Sequence, residues 1–85
     1  MMNQYIIMCR SLTYAQRASR VLERAGIFSS VTKAPMGVSP DGCTYGVRLR
    51  TAELAGPLET VRAAGIKTGR IYEIQSDGTA REVTA

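Results

Sequence analysis

The sequence predicts an α+β domain of ferredoxin-like type: a βαββαβ sandwich whose four-stranded antiparallel sheet carries two helices on one face. Three observations lead there. Tyr5-Ile6-Ile7-Met8-Cys9 is a continuous apolar run, as in a central strand covered on both sides. Segments of helical spacing alternate with segments of strand character along the chain. "VLERAGI" (Val21 to Ile27) and "TVRAAGI" (Thr60 to Ile66) both end in Ala-Gly-Ile and lead into a strand, an internal echo that divides the chain into two βαβ-like halves. Short connections and right-handed crossovers then place the first and third strands side by side in the middle of the sheet, antiparallel to one another.

After the first strand, Ser11 or Thr13 can cap a helix whose apolar positions Tyr14, Ala18, Val21, Leu22 and Ala25 recur at helical spacing. Gly26 ends it as a left-handed cap. Phe28 to Ala34 mixes β-branched and polar residues and stops at Pro35, the pattern of an edge strand. Pro35 to Gly42 is loop. Tyr45, Val47 and Leu49 then alternate with Gly46, Arg48 and Arg50, a half-buried third strand. Thr51 to Ala64 sets Leu54, Leu58 and Val61 on one helical face and ends at Gly65; Pro57 requires the helix to begin near Gly56 or to open irregularly. Arg70 to Ile74 reads as the fourth strand. Residues 1–75 thus form one domain, and 76–85 a tail in which Ser76-Asp77-Gly78 signals a turn, expected to fray more than to fold back as a hairpin.

Composition narrows the classes of function. The 85 residues are 45% hydrophobic and 21% charged, which suits one small folded domain. The net charge of +4 is spread along the chain without a block of like charges, weak support for a nucleic-acid partner. Neither a bilayer-length apolar run nor a secretory leader is visible, so a cytoplasmic location with no membrane partner is expected. With no histidine and two cysteines, neither a zinc site within the chain nor a Cys-His or Ser-His pair can be assembled. The loop glycines form no Gly-x-Gly-x-x-Gly run and there is no Walker-type lysine, so no cofactor is expected.

The cysteines are the chemistry-bearing residues. Antiparallel pairing of the first and third strands brings Cys9, at the end of one, near Cys43, just before the other. The same sheet edge receives the start of the first helix, where free amides favour an anion such as a thiolate, and Arg10 adds a full positive charge. Cys43 sits in "SPDGCTYG", whose turn-forming residues and Gly42 allow exposure and close approach. Two uses remain open for each thiol. Cys9 continues the parity of Tyr5 and Ile7, as a packed residue does, and Cys43 continues that of Tyr45, Val47 and Leu49.

"LERAGI", "TKAPMGVSPDGCTYGVRLR" and "VRAAGIKTGRIYEI" together resemble a family of small bacterial proteins described as selenium or sulfur carrier-like, over nearly all of Tyr5 to Ile74. In that family a proline follows the second strand and a serine precedes a Gly-Cys or Ser-Cys element that opens the third; here these are Pro35, Ser39 and Gly42-Cys43. Thr44 and Met36 stand where members often carry glycine and arginine. The resemblance implies that Cys43 accepts sulfur or selenium as a persulfide or selenosulfide from a donor such as a cysteine desulfurase and passes it to an acceptor protein. Gly42, Thr44, Arg10 and Ser11 would surround the loaded atom, and Cys9, if near enough, would release it by forming a disulfide.

Two other classes of function fit parts of the sequence. The same element order underlies an RNA-recognition module, but that module stacks bases on aromatic residues of its central strands, whereas this third strand presents Arg48 and Arg50 and lacks its motif. An assembly module, dimerising through the sheet face that bears Ile6 and Met8, would cover apolar surface left bare by the helices. A metal held between chains by Cys43 thiolates and Asp41 is the remaining option.

Overall fold

The computed structural model describes residues 3–34 and 45–83. Its elements in chain order are β1 (Asn3–Cys9), α1 (Leu12–Arg24), β2 (Ser29–Lys33), β3 (Tyr45–Thr51), α2 (Ala55–Ala63), β4 (Thr68–Ile74) and β5 (Ala80–Val83). The strands form one antiparallel sheet in the order β2-β3-β1-β4-β5. β1 lies in the middle, flanked by β3 and β4, which accounts for its unbroken apolar run: Ile6, Ile7, Met8 and Cys9 are all buried.

Each helix has an identifiable start and stop. Ser11 caps α1 by accepting a hydrogen bond on its Oγ from the Tyr14 amide at 3.3 Å. At the other end the Ile27 amide bonds back to the Leu22 carbonyl at 2.8 Å and the Gly26 amide to that of Glu23 at 3.0 Å. This paired closure requires the left-handed backbone that Gly26 supplies, with φ of 82°. Gly65 repeats the conformation after α2, with φ of 81°, so the sequence echo is a structural one. α2 begins at Ala55, and Pro57 falls in its first turn, where a missing amide costs nothing. The Glu53 carboxylate takes the Gly56 amide there and substitutes for a side-chain cap at Leu54.

Both helices lie on one face of the sheet. Ala15, Ala18 and Leu22 of α1 and Val61 of α2 pack with Cys9, Val47 and Ile66, while Leu58 of α2 packs with Ile7, Leu49 and Ile71. Burying each of the larger aliphatic side chains contributes about 1.5–3 kcal/mol.

Two expectations are corrected. The sheet has five strands where four were predicted, because the chain turns after Gln75 and returns along β4. Asp77 accepts from both the Thr79 amide (3.0 Å) and its hydroxyl (2.7 Å), Gly78 takes a φ of 88°, and Arg81 reaches Glu73 at 2.7 Å. Local turn chemistry and two ion pairs across the hairpin, Arg81–Glu73 and Arg70–Glu82, thus hold residues that composition alone suggested would fray. The helix-free face is also not bare. Ile6, Met8 and Tyr72 are buried there, with Ala34, Ile74 and Ala80 of β5 packed against them. The apolar surface invoked for a dimer through this face is therefore already covered at its centre.

Candidate functional site

Cys9 is the last residue of β1 and is paired on both sides, with Tyr45 of β3 and with Thr68 of β4. The β1–β4 register shifts between Ile7 and Cys9. Because side chains alternate along a strand, Cys9 points with Ile7 towards the helices. It is completely buried among Ala15, Ala18, Leu22, Val47, Val61 and Ile66, and its Sγ donates to the Ile7 carbonyl at 3.7 Å.

Arg10 is the first exposed residue after the strand, and Ser11 is spent on capping α1. The first turn of α1 holds no acidic side chain, so its positive end is uncompensated by a carboxylate of its own. Arg10, Tyr14, Gly65 and Lys67 line a cleft of about 250 Å³ at this end. The Arg17 guanidinium stands 5.7 Å from the centre of the Tyr14 ring, a cation–π distance.

The structure brings Cys9, Arg10 and Ser11 together with the first residue of β3, as the antiparallel pairing of β1 and β3 demands. Gly42, Cys43 and Thr44, with Pro35, Met36, Ser39 and Asp41, lie outside the described residues. Lys67 joins the cleft without having been singled out in the sequence. Its position follows from β4 pairing beside β1, which sets the turn after α2 against Arg10, and the sole linear trace of this is that Lys67 directly follows Ala-Gly-Ile.

Among the described residues no group of three Cys, Asp or Glu side chains is placed to hold a metal, and no helix is long and apolar enough to cross a membrane. No curated protein and no solved structure matches the chain. A family model described as "Putative Se/S carrier protein-like" matches residues 4–73, from β1 into β4, a span that includes Cys9, Arg10, Ser11 and Cys43. With that match over most of its length, the chain belongs to the Se/S carrier protein-like family.

Proposed function

We propose that the protein carries sulfur or selenium, accepting the atom on Cys43 as a persulfide or selenosulfide and delivering it to an acceptor protein. Family membership supports the cargo. The observation that carries the role of Cys43 is the pairing of Cys9 with Tyr45. Cys43 precedes Tyr45 by two residues in the sequence. The sheet end at which β3 begins holds Arg10, Lys67 and the opening turn of α1, and positive charge of that kind favours a thiolate.

The transfer needs no general base in the chain. The Cys43 thiolate attacks the outer sulfur of a persulfide on the donor; a new S–S bond forms, the donor's own breaks, and the donor cysteine leaves as thiolate with no net oxidation. Attack by an acceptor nucleophile on the outer atom repeats the exchange and restores Cys43. Burial of Cys9 favours this direct hand-over above release through a Cys9–Cys43 disulfide, because a sealed thiol has to be uncovered before it can attack. We also read residues 3–74 as ferredoxin-like with one strand appended, a reading supported by the order β2-β3-β1-β4.

The test is intact-mass spectrometry after incubation with a cysteine desulfurase and cysteine. An adduct of one sulfur atom is expected, lost on reduction, absent from Cys43→Ser and retained in Cys9→Ala. Absence of any adduct, or its persistence in Cys43→Ser, overturns the proposal.

A further inference from the structure

The helix-free face carries a second feature at the end of the sheet away from Cys9. A cleft of about 690 Å³ is lined by Gln4, Phe28, Ser30, Arg48, Arg50 and Thr51, together with Gly26, Ile27 and Leu49. Phe28, the one phenylalanine of the chain, is 89% exposed, whereas among the described residues the other large apolar side chains are covered or, like Leu12, partly covered. Arg48 and Arg50 are two residues apart on β3, so both project from the same face with Cα atoms about 7 Å apart. Among the described residues, neither forms an ion pair and no carboxylate lines the cleft. Gln4 is opposite Arg50 and Ser30 opposite Arg48 in the ladders, so neutral hydrogen-bonding groups flank both cations.

We propose that this cleft binds the phosphate backbone of single-stranded nucleic acid, with one base stacked on Phe28. Two guanidinium forks match successive phosphate oxygens, and an exposed ring beside them is the usual complement for a base without sequence preference. The concavity has the volume of a small-ligand pocket, which suits a nucleotide unit better than the flatter contact of a protein partner. The centre of the sheet, where RNA-recognition modules stack bases, is closed because Tyr72 is 5% exposed and is packed with Ile6 and Met8. The margin offers the ring that the centre does not. Cys9 and Gln4 are five residues apart on β1, a separation of about 17 Å, so the cleft is distinct from the end that holds the candidate thiol.

Fluorescence anisotropy with a short labelled oligouridylate, and with oligothymidylate as the second arm, tests this. Binding is expected to weaken with salt at a log–log slope of about −1.4, for two phosphates. Phe28→Ala should weaken it about tenfold or more with the slope unchanged, and Phe28→Leu should do nearly the same, since bulk without a π-face cannot stack. Arg48→Gln combined with Arg50→Gln should flatten the slope, with the circular dichroism spectrum of each variant confirming the fold. Cys43→Ser should bind as the parent does, which separates this outcome from that of the carrier proposal. No binding at low salt, indifference to both Phe28 variants, or equal displacement by oligoglutamate would overturn it, the last by identifying the cleft as a site for acidic protein segments.

Discussion

Gly46 pairs with Met8 across the centre of the sheet, and a Cβ at that position would stand 2.7 Å from the Ile7 carbonyl oxygen and 3.1 Å from the Met8 Cα. Those neighbours are backbone, so relief requires β1 and β3 to part. Gly46→Ala should therefore lower stability by about 1–3 kcal/mol, read from the midpoint of urea unfolding. Cys9 is governed by packing: Cys9→Ser places a hydroxyl in an aliphatic setting and is expected to cost about 1–3 kcal/mol in the same assay. The parity of Tyr5, Ile7 and Cys9 already pointed to a packed residue, whereas the need for glycine at 46 was invisible, because its cause is a carbonyl on another strand. Phe28 was similarly opaque. It reads as the opening of an edge strand, and only its place just ahead of β2, beside Arg48 and Arg50, leaves the ring in solvent.

Among the elements, α1 and the β4–β5 hairpin are held by local side chains that can be tested singly. Ser11→Ala removes the acceptor for the Tyr14 amide and should cost about 1 kcal/mol, measured by thermal unfolding. Asp77 has its pKa lowered below the usual 3.8, first by the Thr79 hydroxyl and then by the Thr79 amide. A carboxyl more acidic in the folded chain than in the unfolded one contributes fully above the unfolded value, and that contribution is lost as pH falls through the lowered one. Protection of the Thr79 amide from exchange, measured against the unstructured chain at the same pH, should accordingly fall on acidification below about pH 4, and Asp77→Asn should abolish that dependence. Ser11 was legible as a cap because it precedes an apolar helical pattern. The hairpin's turn was legible too, but its pairing was not, since Arg81 finds Glu73 only after β4 is in the sheet.

At the scale of the whole molecule, β5 finishes both faces of the sheet. Val83 packs against the cluster of Ile7, Leu49, Leu58 and Ile71 beneath the helices, and Ala80 packs against Ile6, Met8 and Tyr72 on the other side. A chain ending at Gln75 should lose about 2 kcal/mol of stability and, with the edge of β4 unpaired, should elute from size exclusion as a larger, concentration-dependent species. Among the described residues β2 and β5 are the edges of the sheet, and both are short, at 5 and 4 residues. Charged residues on them, Lys33 on one and Arg81 and Glu82 on the other, further discourage pairing between copies.

Periodicity and turn residues in the sequence were enough to determine two helices, their glycine stops, four strands and the middle position of β1, because each depends on spacing or on backbone freedom within a few neighbouring residues. The fifth strand, the burial of Ile6 and Met8 on the face without helices, and the cleft that joins Phe28 to Arg48 and Arg50 depend on which strands become neighbours. Tertiary structure alone decided these, since residues far apart in the chain meet only when the sheet is assembled and its register is set.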